Sequence, residues 1–278
     1  MPSRTRSTHH DAAPPDESSY REYSPSDTLR PFVDCFWTRD IVAAQSGDRA
    51  TLVHRVLPDG CIDVVLTFSE HGDEPASAMV VGTMTKALVL DAVHAPESFV
   101  GVRFRPAKAA AFLDLPANEV TDLRVSLDEI WPDAADVREA LDAPSEAIAR
   151  VRALERVLTA RLSPTSARPE HDVDEAVRRI VDAGGTLGIT RLAPALGVSR
   201  QHLARRFSEL VGVSPKTFAR VVPLGRVVDR VRAVPVGEPV NWSALAIELG
   251  YYDQSHLVDE FREMTGLTPT AWRVAGSG

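Results

Sequence analysis

The apolar residues follow a two-residue period in the first part of the chain and a helical period in the last third. Two β-rich runs, at 52–57 and 61–68, flank the tripeptide Pro58-Asp59-Gly60, which is typical of a tight turn. Further β-rich runs lie at 79–81, 88–93 and 99–104. Short strands at this spacing predict a small β-sheet or a barrel-like sandwich.

Helical patterns begin after Pro106. Residues 107–115 are rich in alanine and predict a helix, and 127–131 predict a short apolar turn. Between 134 and 162 the apolar positions fall on one side of one or two helices, interrupted at Pro144. That apolar side fits either packing on its own domain or contact with a second subunit, and we expect a homodimer formed through it.

The last third contains two diverged copies of one unit. Residues 192–207 have the sequence LAPALGVSRQHLARRF, and matching residues recur 53 positions later up to Gly250 and 54 positions later beyond it. Each copy predicts a short helix that ends near a glycine, a tight turn, and a second helix that begins after a capping residue. The predicted caps are Ser199 and Asp253, and one residue has been added in the turn after Gly250.

The second helix of each copy has an apolar side and a polar side. Leu203, Phe207 and Leu210 share one side in the first copy, as Leu257, Phe261 and Met264 do in the second. Helix, glycine-containing turn and helix with a polar outer side indicate a helix-turn-helix, whose second helix enters the DNA major groove. A hairpin used only for packing is the alternative, but packing alone does not require the same glycine, cap and phenylalanine in both copies.

The segments VSRQHLARRFSELVGVSP and LGYYDQSHLVDEFREMTGLTP resemble the two motifs of the AraC/XylS family of bacterial transcription regulators, over roughly residues 171–274. The resemblance implies recognition helices at about 200–210 and 254–264. It also implies a linking helix from Pro215 to about Arg232, in which Pro223 and Gly225 depart from the family pattern. Because proline removes a helical hydrogen bond, we expect this segment to be weakened or kinked.

The resemblance and the exposed polar positions together give the candidate DNA-binding residues. They are Arg200, Gln201, Ala204, Arg205, Gln254, Ser255 and Arg262. We expect Arg205 to be the principal reader, since a guanidinium can bond O6 and N7 of guanine together. Alternatively, Arg205 only pairs with Glu209 at i+4. By the same resemblance, Asp259 of the second unit stands where an arginine is usual. Its carboxylate should repel phosphate, unless it accepts a hydrogen bond from a cytosine amino group.

Length and composition indicate an α+β multidomain protein. We expect a disordered tail at 1–26, a β-rich regulatory and dimerisation domain with C-terminal helices at 27–165, and an all-α DNA-binding domain with two helix-turn-helix units at 171–278. Residues 163–169 are the expected linker. The segments RVLPDGCIDVVL and GVRFRP resemble the N-terminal domain of some of these regulators. In the family such domains commonly sense a small molecule, dimerise, or both, and only this general expectation follows from the resemblance, without a ligand.

The formal net charge of -8 is distributed unevenly. Residues 171–278 hold 13 basic and 12 acidic side chains, whereas the rest of the chain holds 18 and 27. A balance of +1 is a weak electrostatic footprint for a DNA-binding domain, and it favours modest affinity for each unit. A protein-interaction or sensor module with degenerate helix-turn-helix units is therefore the alternative function.

Other chemistry finds little support in the sequence. His54, Cys61, Asp63, His71 and His94 lack the spacing of a metal site, and Gly82-Thr83 is too short for a phosphate loop. We expect neither enzymatic activity nor a cofactor or metal, and we expect Cys61 to be a small core residue. Two cysteines, no secretory signal and no long apolar run predict a cytoplasmic protein without membrane contact. The expected partners are double-stranded DNA, a small-molecule effector, a second copy of the chain and RNA polymerase.

Overall fold

Two antiparallel sheets form the N-terminal part of the molecule. The structure is a computed structural model that describes residues 11–12, 20–41, 54–69, 76–90, 97–142, 146–162, 171–235 and 237–275. Within these ranges the strands are β1 (Asp11–Ala12), β2 (Arg21–Tyr23), β3 (Val33–Ile41), β4 (His54–Val56), β5 (Ile62–Ser69), β6 (Ser77–Val81), β7 (Leu88–Leu90), β8 (Glu97–Phe104) and β9 (Arg124–Ser126). The larger sheet has the order β2-β3-β8-β5-β6-β9, and the smaller has the order β1-β4-β7.

Strand β5 shows how the larger sheet forms its core. Its side chains alternate between buried and half-buried, because successive residues of a strand point to opposite faces. Ile62, Val64, Leu66 and Phe68 face the core, where helices α1 (Ala110–Leu113), α2 (Ala134–Asp142) and α3 (Ala147–Arg161) cover the sheet. The predicted fold class, with a β-rich N-terminal region, is confirmed.

The predicted turn at residues 58–60 is also confirmed. Gly60 has a φ of 80°, and the Asp59 carboxylate accepts a hydrogen bond from the Cys61 backbone N–H at 2.8 Å. Asp59 and Asp63 each lie 3.2 Å from the buried guanidinium of Arg103. Burial alone would lower the pKa of Arg103, but Asp63 and Asp59 outweigh it and hold that pKa above its ordinary value. Asp63, which the sequence offered as a possible metal ligand, is thus part of a buried ion pair.

Helices α2 and α3 place their apolar sides on their own domain. Val137, Leu141, Leu154 and Leu158 are buried in the core beneath the sheet. No large apolar side chain of residues 134–142 and 146–162 is exposed. The surplus apolar surface from which we expected dimerisation through these helices is therefore absent from these residues.

Seven helices form the C-terminal domain within the described residues. They are α4 (His171–Asp182), α5 (Ile189–Ala195), α6 (Arg200–Val211), α7 (Pro215–Arg232), α8 (Trp242–Glu248), α9 (Gln254–Thr265) and α10 (Pro269–Ala275). Helix α7 contributes to two hydrophobic cores. Phe218 and Ala219 pack with α4, α5 and α6, whereas Val221 and the buried residues after it pack with α8, α9 and α10.

Helix α7 is continuous through Pro223, which is buried. Pro223 has no N–H to donate to the Ala219 carbonyl four residues earlier. Gly185, with a φ of 80°, approaches this carbonyl so closely that a Cβ at position 185 would overlap both its oxygen and the Pro223 ring. We expected the linking helix to be weakened, but it continues through Pro223. The backbone of Gly185 packs against it at the Ala219 carbonyl, where the helical hydrogen bond is missing.

Several boundaries differ from those predicted. Arg21–Tyr23 pairs with β3, so the expected disordered tail at 1–26 includes a strand. The alanine-rich run yields only the four-residue α1, because Asp114 adopts a left-handed conformation with a φ of 54°. The linker at 163–169, residues 52–53, and the histidines His71 and His94 lie outside the described residues.

We predict that Gly185→Ala destabilises the protein. The new methyl group meets the Ala219 carbonyl and also requires a backbone conformation that costs about 1–3 kcal/mol for a side chain other than glycine. Gly188→Ala is the control, since a Cβ at position 188 has nothing within 4 Å. Chemical denaturation of the two variants should show at least about 1 kcal/mol lost in Gly185→Ala only. Equal stability of the two variants would contradict this packing.

Candidate nucleic-acid interface

Two helix-turn-helix units of matching construction lie on either side of α7. In the first, α5 and α6 are joined through Gly197, with a φ of 72°. In the second, α8 and α9 are joined through Gly250, with a φ of 86°. Both predicted caps are confirmed, because the Ser199 hydroxyl accepts from the His202 N–H at 3.1 Å and the Asp253 carboxylate accepts from the His256 N–H at 2.8 Å.

The inner sides of α6 and α9 hold the units together in the same way. Leu203 and Phe207 are buried in one core, and Leu257 and Phe261 in the other. Phe207 packs edge to face on Phe218 with ring centroids 5.6 Å apart, and Phe261 packs on Trp272 at 6.1 Å. Phe218 and Trp272 are matching positions of the repeat, so the internal repeat is a structural repeat.

The outer side of α6 brings the first group of predicted residues together. Arg200, Gln201, Ala204 and Arg205 are all exposed on this helix. Arg200 makes no hydrogen bond or ion pair within the described part of the chain, so its guanidinium remains free to meet a phosphate or a base edge.

Arg205 has a partner in the free protein. Its Nη1 lies 2.8 Å from Glu209 Oε1, while Arg206 Nη1 lies 2.9 Å from Glu209 Oε2. Arg206 and Arg205 hold the pKa of Glu209 below its usual range. The Arg205 side chain is 59% exposed, and exposed pairs four residues apart are weak. Such a pair can be exchanged for a bidentate contact with guanine, which discriminates by about 1–3 kcal/mol.

The outer side of α9 differs in charge. Gln254, Ser255, Asp259 and Arg262 are exposed on it. Gln254 Oε1 accepts from the Ser243 hydroxyl at 2.8 Å, which leaves its amide N–H groups to donate outward. These exposed residues of α9 include the carboxylate of Asp259 as well as the cation of Arg262, whereas the outer side of α6 has only cations and neutral groups up to Arg205.

Arg220 joins α9, the second helix of the second unit, to α7. Its Nε lies 2.9 Å from Glu260 Oε2, and its Nη2 lies 2.6 Å from Glu263 Oε2. Hydrogen bonding to Glu260 and Glu263 raises the pKa of Arg220. The bridge also occupies two carboxylates of α9, so part of the negative charge of this helix is neutralised within the protein.

Tyr252 is a candidate contact that the sequence pattern did not predict. It precedes the cap of α9 and is 89% exposed, the highest exposure of any large apolar side chain in the described residues. Its backbone N–H donates to His256 Nδ1 at 3.2 Å, which fixes the turn from which its ring projects. The residue lies in the turn where the second copy is one residue longer, and this insertion was the available signal.

A pair of capped, outward-facing second helices on one all-helical domain defines a DNA-binding transcription regulator of the helix-turn-helix class. Residues 192–275 match the family described as "Helix-turn-helix domain", and residues 21–126 match the family described as "Domain of unknown function (DUF6597)". The helix-turn-helix domain expected from the sequence is thus confirmed over residues 192–275.

Solved structures of regulators are similar to this chain at low identity. ToxT from Vibrio cholerae is 10% identical, with 95% of this chain and 100% of that chain covered and a TM-score of 0.45. The C-terminal domain of AraT, a response regulator from Geobacillus stearothermophilus, is 18% identical, with 40% and 91% covered and a TM-score of 0.35. The xylose-binding transcription activator XylR is 17% identical, with 48% and 38% covered and a TM-score of 0.32. Comparison with curated proteins gave no match.

The structure gives no support for a metal site among the described residues or for a reactive thiol at Cys61. Cys61 is buried, as expected, and burial raises the pKa of its thiol. Among the described residues no cluster of three metal-ligating side chains is present, and no helix is both long and apolar enough to cross a membrane.

We predict that Arg220→Met loosens the second unit. Loss of the two ion pairs should lower the free energy of unfolding by about 1 kcal/mol at low salt, and by less at high salt, because partly exposed pairs are screened. Arg226→Met is the matched control, since Arg226 is exposed on the same helix and has no ion pair within the described residues. A loss that is the same at all salt concentrations would contradict an electrostatic origin.

Proposed function

We propose that this protein is a sequence-specific transcription regulator that inserts α6 and α9 into the major groove of double-stranded DNA. The first unit supplies most of the specificity. The observation that carries the proposal is the outer side of α6, where Arg200, Gln201 and Arg205 are exposed together on a capped recognition helix. Arginine and glutamine are the side chains that pair in bidentate fashion with guanine and adenine, respectively.

The second unit contributes a different kind of contact. Asp259 faces outward and repels phosphate, unless it accepts a hydrogen bond from a cytosine amino group. Gln254, Ser255, Arg262 and the exposed ring of Tyr252 are the groups of this unit proposed to meet DNA. These different contacts agree with the weak net charge of residues 171–278. Of the two outer sides, only that of α6 has no carboxylate in its first two turns.

The acidic second helix also favours one alternative, a protein-interaction or sensor module whose units no longer bind DNA. A mobility shift on the protein's own promoter region at several salt concentrations separates the two functions. A DNA-binding regulator loses affinity linearly in log salt, with a slope of about -0.9 for each phosphate contact. A module that binds no DNA shows no shift at any salt concentration.

The remaining expectations stay predictions. Control by a small molecule through the N-terminal domain, homodimerisation, contact with RNA polymerase and a cytoplasmic location follow from the resemblance and the composition. Of these, homodimerisation now needs a surface other than the buried sides of α2 and α3. Sedimentation of the full chain with and without DNA measures the oligomeric state.

Selection of bound duplexes from a randomised pool tests whether Arg205 is the principal base-contacting residue. We predict that Arg205→Ala relaxes the preference at one or two base pairs by about 1–3 kcal/mol, because the guanidinium fork is lost. Asp259→Ala should bind equally or more tightly, since a charge that repels phosphate is removed. Arg152→Ala, an exposed arginine on α3, is the matched control and should leave the selected sequence unchanged.

Glu209→Gln distinguishes base contact by Arg205 from a role of Arg205 limited to its ion pair with Glu209. If Arg205 only stabilises α6 through Glu209, then Glu209→Gln and Arg205→Ala should lower stability alike, and neither should alter the selected sequence. Loss of specificity in Asp259→Ala alone would overturn the assignment and make the second unit the reader.

A further inference from the structure

The C-terminal ends of both recognition helices meet the N-terminal domain. The Thr83 hydroxyl donates to the Val211 carbonyl at the end of α6, and the Thr121 hydroxyl donates to the Gly212 carbonyl, both at 2.6 Å. The Ala87 backbone N–H donates to the Met264 carbonyl in the last turn of α9, also at 2.6 Å. The last carbonyls of a helix lack partners within the helix, so groups of the other domain complete both ends.

Gly212 permits the close approach at the first helix. It has a φ of 93°, and a Cβ at this position would lie 2.9 Å from Thr83 Oγ1 and 3.1 Å from Thr121 Oγ1. Thr83 itself is fully buried. The contact is therefore built into the interior of the molecule, where an unpaired carbonyl would be costly.

The N-terminal segment that makes these contacts is short and well fixed. Thr83 and Ala87 lie in one connection between β6 and β7, and four residues of extended chain span at most about 14 Å. Hydrogen bonds from Gly82 to Leu123 and from Asp122 to Thr83 join this connection to the loop that carries Thr121. The Asp122 carboxylate also accepts from the Thr85 N–H at 2.6 Å and from the Thr85 hydroxyl at 2.7 Å.

Further contacts join the N-terminal domain to the C-terminal helices. Leu57 is 6% exposed and belongs to the core of the second unit. Gly60 lies against the ring of Phe218, where a Cβ would overlap it. Lys108 Nζ lies 2.5 Å from Asp174 Oδ1 on α4. Both helix-turn-helix units are thus docked on one domain in addition to their shared helix α7.

We propose that the Thr83–Ala87 connection, braced by Thr121, is a positioning element that fixes the separation of the two recognition helices and thereby the half-site spacing that the protein accepts. This inference rests on the proposed function, because spacing has meaning only if both helices meet DNA. Thr83 and Thr121 are positioning residues, which act through Val211 and Gly212 and do not themselves contact DNA.

Distance measurement in the free protein tests the positioning directly. Spin labels at Ala204→Cys on α6 and Ser255→Cys on α9 report the separation of the helices, and the native Cys35 and Cys61 are buried from the labelling reagent. The full chain should give one narrow distance population. The Thr83→Val and Thr121→Val double variant should give a broadened or shifted one, since both hydroxyl donors are lost.

Matched variants keep this measurement decisive. Thr67→Val on β5 is the control, because Thr67 makes no side-chain hydrogen bond within the described residues. Thr83→Ser retains the hydroxyl and should restore the narrow population. If the double variant fails to fold, Thr121→Val alone, at a partly exposed site, should still broaden the distribution. A distribution identical to that of Thr67→Val in a folded variant would overturn the proposal.

Binding to duplexes of altered half-site spacing then tests the consequence. The unlabelled full chain should bind its selected sequence at least 10-fold more tightly than the same half-sites moved apart by one or two base pairs. The folded variant should lose most of this preference, and an unchanged preference would contradict the link to spacing. Failure of the wild-type chain on every duplex would overturn the proposed function, whereas the distance measurement would still decide whether Thr83 and Thr121 position the helices.

Discussion

Helix α7 is the constraint on which the arrangement of the two units depends, because its side chains belong to both hydrophobic cores. Phe218 packs in the first core, and Leu224, Val227 and Val228 pack in the second. Each unit has only two short helices, and their inner sides are buried against α7 and its neighbouring helices. The two units are consequently joined through one continuous helix, against which Gly185 packs closely at Pro223.

The two units share a fold but differ in their chemistry. Both use a side-chain cap, a left-handed glycine and an edge-to-face aromatic pair, which are requirements of packing. The outer sides are free of these requirements and have diverged, with Arg205 in one helix and Asp259 in the other. This difference in charge is the basis of the proposal that the first helix supplies most of the sequence specificity.

Local patterns predicted most of the C-terminal domain. The caps Ser199 and Asp253 and the apolar positions of α6 and α9 follow from spacing along a single helix, so the sequence suffices to find them. The strands of the N-terminal domain were found where alternation is strong, as in β5, but Arg21–Tyr23 has too few apolar residues to reveal a strand that depends on pairing with β3.

Contacts between distant segments left no such signal. Thr83 and Thr121 are 128 and 91 residues from the carbonyls they reach, and no periodicity connects them. Leu57 has the appearance of an ordinary strand residue in the sequence and lies in the core of the other domain. The change of pattern at residues 165–171 therefore gives no sign of this contact, through which Leu57 of the first part packs in a core of the second.

Base-resolution mapping of the contacts on a selected duplex tests the central claim most directly. If α6 and α9 are held on one side of the molecule by α7, chemical interference should reveal two patches of major-groove contacts on one face of the DNA, about one helical turn or 10–10.5 base pairs apart. The patch made by α6 should have the stronger base preference. A single patch, or two patches on opposite faces of the duplex, would contradict the account.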